Sequence, residues 1–189
     1  MRKLCYIAIA AITMAFTTQA EASEAFQPYI GVGFSSISMD LSTFNGGGWS
    51  GFQNVSAIGY TIKGGVDIQR YFGLEVRMFN SGSATSTGTV FGNTVNVSAK
   101  VNSGFAYFAK LQIPFENGFN AYALLGQSTA NLTLTVQELG QTFTSSGNGS
   151  SSSEGLGLGY TKNNNVFEVE WMTYASDVSA LSLFVGHKF

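Results

Sequence analysis

Few residues in this chain could do covalent or metal chemistry. There is one histidine, His187, and one cysteine, Cys5. A nucleophile–base pair or a metal centre draws on several such side chains. No motif sets a serine or carboxylate beside His187 as a partner. Asp40, Glu138, Glu154 and Asp177 are scattered, with no spacing that marks a paired-carboxylate hydrolase. Gly46-Gly47-Gly48 and the alternating glycines from Gly155 to Gly159 lack the Lys-Ser/Thr of a phosphate loop. The expectation is no metal, no cofactor and no catalysis. What remains is a set of six charges: Lys63, Glu75, Arg77, Lys110, Glu168 and Glu170. Three bases and three acids in one enclosed space could relay protons or line an ion path. They could equally neutralise one another as a salt-bridged plug.

These six lie in segments of strict two-residue alternation, the signature of β-strands. Eight such segments are expected: 29–38, 55–68, 71–80, 95–113, 117–136, 154–161, 166–174 and 180–189. One face carries Ile, Val, Leu, Phe, Tyr and Trp without charge. The other carries Gly, Ala, Ser and Thr with the six charges. A water-washed exterior would show many scattered Lys and Glu. The polar face therefore reads as a narrow lumen and the apolar face as a lipid-facing exterior. Eight strands leave an interior filled by side chains, which favours the plug. The links near residues 69–70, 114–118 and 162–165 are tight. Segments 39–54, 81–94 and 137–153 read as long polar loops, with Trp49, Phe52, Phe91 and Phe143 as contact points. Tyr29, Tyr71, Phe72, Phe115, Phe119, Phe167, Trp171 and Phe189 read as interfacial aromatics.

Composition agrees. Charged residues are 11%, against roughly 25% in an ordinary soluble domain. The net charge of −2 excludes a nucleic-acid binder, which needs basic clusters. Aromatic content of 14% excludes a disordered chain. Arg2 and Lys3, the apolar run 4–16 and Ala20-Glu21-Ala22 form the three regions of a secretory signal peptide. Cleavage is expected after Ala22, with Ala20 as the alternative. Residues 1–22 are thus a leader and 23–189 one domain. Removing the leader takes Cys5 with it.

The closing run Leu181-x-Leu183-x-Val185-x-His187-x-Phe189 resembles the C-terminal assembly signal of bacterial outer-membrane proteins. His187 departs from it, since that place is usually aromatic or apolar. The segments 71–77 and 155–160 also resemble the small outer-membrane β-barrel group of opacity-type, OmpX-like and OmpA transmembrane domains. The resemblance implies an all-β fold: an eight-stranded antiparallel up-and-down transmembrane barrel behind a cleavable signal peptide, both termini in the periplasm. It implies contact with outer-membrane lipid and lipopolysaccharide. It also implies recognition of Leu181, Leu183, Val185 and Phe189 by the barrel-assembly machinery. The favoured reading is a monomeric, adhesin-like barrel that meets an extracellular ligand through loops 39–54, 81–94 and 137–153. The alternatives are a small-solute porin, a soluble lipocalin-like periplasmic carrier and a lipid-modifying enzyme.

Overall fold

The structure, a computed structural model, describes residues 26–138 and 140–189; the expected leader lies outside them. Ten strands follow one another: β1 (Phe26–Met39), β2 (Trp49–Ser50), β3 (Val55–Ile68), β4 (Phe72–Ser81), β5 (Ser83–Val90), β6 (Asn93–Pro114), β7 (Phe119–Glu138), β8 (Gln141–Lys162), β9 (Asn165–Ala175) and β10 (Val178–Lys188). β1 pairs antiparallel with both β3 and β10, and β6 pairs with β7, so the sheet closes on itself. β5 continues β4 past Gly82, and both pair with β6. β2 belongs to the first long connection. The result is a closed antiparallel barrel of eight staves.

Alternation sets what faces where. Ile30, Val32 and Phe34 of β1, Leu74, Val76 and Met78 of β4, and Leu181, Leu183 and Val185 of β10 point outward and are exposed. The outward apolar band is three to five residues tall, which fits a hydrocarbon core crossed by tilted strands. β7 breaks the expected rule that the apolar face is the lipid face. Its Tyr122 and Leu124 are buried inside, while Gln127, Thr129, Asn131 and Thr133 face out. The outward polar residues arise because β7 runs on past the apolar band, where the outer face meets water, whereas Tyr122 lies inside at the level of the band, seated against Gly157 of β8.

That extension corrects a second expectation. The described residues of segments 81–94 and 137–153 are almost wholly strand rather than loop. β6 and β8 each have 22 residues, about 70 Å of extended chain and at least twice a membrane crossing of 9–11 residues. Ser- and Thr-rich composition read as loop, yet Thr is a good strand former. Ala84, Ser86 and Val90 are buried on one face and Thr85, Thr87 and Thr89 are exposed on the other. Thr85–Ser98, Thr133–Ser146 and Asn131–Asn148 are cross-strand hydrogen bonds at 2.7 Å.

The β5–β6 tip is Phe91-Gly92, with φ of 48° and 85°. Two positive φ values make the mirror-image turn whose twist suits a hairpin, and Asn-Gly is its usual sequence. A phenylalanine held there costs about 1–2 kcal/mol, and its ring is 79% exposed. Phe91→Asn is expected to raise hydrogen-exchange protection of the amides beside the turn, by up to about tenfold. Unchanged or lower protection would mean that the ring's contact with Gly48 outweighs the strain.

Candidate functional site

Inside the barrel two layers stack along the axis. The layer toward the loop end is apolar: Ile37, Met39, Phe79, Met172 and Ala180 are buried together. Leu41 and Phe52 of the first long connection close it from above. Asp40 starts that connection by accepting hydrogen bonds from the Ser42 hydroxyl at 2.6 Å and the Ser42 backbone N–H at 2.8 Å. Those bonds hold its carboxyl below the usual carboxylate range. Asn45 and Phe52 exchange a reciprocal pair of hydrogen bonds at 3.0 Å that folds the connection back. Phe52 is only 2% exposed, so it is part of the lid rather than a contact point.

The second layer is ionic and lies toward the tight-turn end. Lys63, Glu75, Arg77, Lys110, Glu168 and Glu170 all point into the lumen, and none is more than 6% exposed. Register brings them together: Lys63 stands opposite Arg77, Arg77 opposite Ala106, and Glu170 opposite Gly157. The Arg77 guanidinium is the hub. It donates to Glu75 through Nε and to both carboxylate oxygens of Glu170, one of them at 2.6 Å. Lys63 bridges Glu168 and Glu75, the latter at 3.5 Å. Lys110 stands 3.4 Å from Asp67 and 3.8 Å from Glu168.

Four further participants were not among the six. Asp67 also pairs with Lys188 at 2.7 Å, giving four acids and four bases. Tyr29 donates to Glu75 at 2.6 Å and Tyr122 to Glu170 at 3.0 Å. Tyr29 is 7% exposed and so is no interfacial aromatic; the other seven residues of that set lie outside the buried interior. Parity could have found Asp67 and Lys188, since each shares the inward phase of its strand. The tyrosines could not be found that way, because an aromatic fits either face.

The small inward residues have a specific use. A Cβ at Gly33, Gly65, Gly104, Gly126, Gly155 or Gly157 would come within 3 Å of Phe184, Tyr29, Phe79, Phe108, Met172 or Tyr122, respectively. Each glycine is a notch that admits a large side chain from a neighbouring strand. Rings then lie against the ammonium groups: Lys63 Nζ is 4.1 Å from the Phe184 ring centroid, and Lys110 Nζ 4.8 Å from that of Tyr122. A cup of about 650 Å³ opens at the tight-turn end, floored by Asp67, Gln112, Asn120 and Lys188. A smaller hollow of about 250 Å³, lined by Ser38, Trp171, Thr173, Asp177 and Ser179, lies against the outer wall near the other end.

His187 is on the exterior. It contacts the Asn165 side chain at 3.3 Å and meets Phe189 edge to face. Among the described residues there is no group of three or more His, Cys, Asp or Glu that could hold a metal ion. Leu181, Leu183 and Val185 are exposed on the outer face of β10, and Phe189 follows it, its N–H bonded to the Pro28 carbonyl at 2.9 Å.

The chain matches the family of outer membrane protein beta-barrel domains over residues 7–179. It belongs to that family. As an outer-membrane β-barrel, it turns its apolar exterior to lipid, which overturns the alternative of a soluble carrier with an apolar interior. Among solved structures it is similar to Ail, the attachment invasion locus protein of Yersinia pestis, at 15% identity and a TM-score of 0.56. That match covers 87% of this chain and 99% of Ail. A second structure, Ail in complex with the heparin analogue sucrose octasulfate, matches at 14% identity, a TM-score of 0.52 and the same coverage. Neisserial surface protein A matches at 14% identity and a TM-score of 0.47, over 88% of this chain and 98% of its own. These likenesses concern the fold. No curated protein matches the chain.

Proposed function

We propose that this outer-membrane barrel is a non-catalytic, non-conducting scaffold that displays the extended sheet β5–β8 outside the cell. A cleaved leader exports it, the terminal run Leu181, Leu183, Val185 and Phe189 addresses it to the assembly machinery, and its termini lie in the periplasm. It sits as a single barrel in its own membrane. The observation that carries this reading is the length asymmetry: β9 and β10 have 11 residues each, whereas β6 and β8 have 22. A chain that needed only to span lipid would stop where β9 stops. The ionic layer supports the non-conducting part, since eight strands leave room only for side chains and here the charges are mutually paired.

The surface chemistry narrows the ligand class. Among the described residues the loop end carries Asp40, Glu138, Glu154 and Asp177 against the single cation Lys100. A sulfated sugar of the kind seen with Ail would be repelled by that balance. The surface suits an uncharged partner held by hydrogen bonds and the exposed rings of Phe91 and Phe143.

The test uses the absence of cysteine once the leader is gone. Ser146→Cys in β8 is expected to react with a membrane-impermeant maleimide on intact cells. Asn164→Cys, in the β8–β9 turn, should react only after the outer membrane is permeabilised. The reverse pattern would overturn the orientation and the display function with it.

A further inference from the structure

One edge of the projecting sheet is guarded and the other is open. On the β5 side, Trp49 and Ser50 pair with Val90 and Thr89. The Gln53 N–H donates to Ser86 Oγ at 3.0 Å. On the β8 side, β9 ends its pairing at Glu154 opposite Thr173. Residues 141–152 continue with β7 on one flank only, and nearly all are exposed. Natural sheets protect such an edge with charges, proline or a bulge. Residues 141–152 contain no Asp, Glu, Lys, Arg or Pro, and their register with β7 is unbroken. The fold covers one edge and leaves a 12-residue template on the other.

We propose that the occupant of this edge is the same edge of a second copy, standing in an apposed membrane. This rests on the reading that the sheet projects outside the cell. Edge addition gives main-chain hydrogen bonds, and within residues 141–152 self-pairing sets no charged side chains opposite one another. Antiparallel self-pairing is generated by a two-fold axis perpendicular to the sheet. That axis keeps outer face with outer face, so the row of Thr142, Thr144, Ser146, Asn148 and Ser150 meets its own copy. Hydroxyl pairs directly across two strands are favourable. With roughly half the residues of each strand offering both groups to the edge, the pair gains about a dozen hydrogen bonds.

Geometry then dictates trans rather than cis association. Within one membrane every β8 runs back toward the lipid in the same sense, tilted by about 35–45° from the normal. A two-fold along the normal would cross two such strands at roughly twice that angle, too steep for a ladder. Antiparallel alignment instead turns the second barrel over, into the opposite membrane. The proposed contact therefore joins cells to one another.

The experiment places the purified barrel in vesicles of two colours and measures their co-association. Wild-type vesicles should tether to each other and not to protein-free vesicles. Ser146→Lys/Ser150→Lys vesicles, and separately Ser146→Glu/Ser150→Glu vesicles, should fall to the protein-free level. Mixing the Lys and Glu vesicles should restore tethering. Gel migration before and after boiling verifies that each variant is folded. Undiminished tethering by either charged variant overturns the proposal, and so does equal tethering to bare vesicles. If wild-type vesicles do not tether while Ser146→Cys is labelled on cells, self-pairing is wrong and surface display stands.

Discussion

Arg77→Ala is expected to destabilise the folded barrel by about 3–5 kcal/mol, the cost of breaking a buried ion pair by removing one partner. Urea unfolding of the barrel in lipid vesicles would read it. The Arg77 guanidinium holds Glu75 on one side and both oxygens of Glu170 on the other. Its loss leaves two buried carboxylates short of their main counter-charge. Lys63 reaches Glu75 at 3.5 Å and Glu170 only at 4.0 Å, and it is already engaged with Glu168. The triple change Arg77→Met with Glu75→Gln and Glu170→Gln should be much less harmful than Arg77→Ala alone, because it removes the charges together with their partner. The single variant should also admit ions, read as raised conductance in a planar bilayer, whereas the wild type should stay closed. A destabilisation below about 1 kcal/mol, the range of an exposed pair, would show that water reaches the network.

What the sequence made legible followed from the two-residue period. That period located all eight staves, because a half-lipid, half-lumen strand cannot hide its alternation. It also put Lys63, Glu75, Arg77, Lys110, Glu168 and Glu170 on the inward phase. It could not say that Arg77 would meet Glu170, 93 positions away, since that contact depends on stave order and shear. Asp67 shares the inward phase, but at the end of β3 a charge reads equally well as part of the turn. The projecting sheet was missed for a different reason. Above the membrane the outer face becomes polar, so alternation fades into a run of Ser, Thr, Asn and Gly that has the composition of a loop. Only the pairing of Thr133 with Ser146 and Asn131 with Asn148 shows it to be strand. The first long connection was misjudged in part, because a buried Phe52 and an exposed Phe91 look alike in a row of letters.

Gly157→Val tests how those small inward residues work. A Cβ at Gly157 would stand 2.5 Å from the Tyr122 phenol oxygen and 2.7 Å from its Cε2. The ring must move, and overpacking of this kind costs about 1–3 kcal/mol. A displaced Tyr122 also gives up its 3.0 Å hydrogen bond to Glu170, a bond to a charged group worth about 1.5–3 kcal/mol. Tyr122→Phe isolates the second loss, since the ring stays in the notch. Tyr122→Ala empties the notch, so the double variant Gly157→Val/Tyr122→Ala should cost less than the sum of its parts, by about 0.5–3 kcal/mol in a double-mutant cycle. The sign of that coupling is what decides. Strictly additive losses would mean that Tyr122 does not rest on Gly157. A favourable coupling would make the glycine a socket, with the ring it admits holding Glu170 against Arg77.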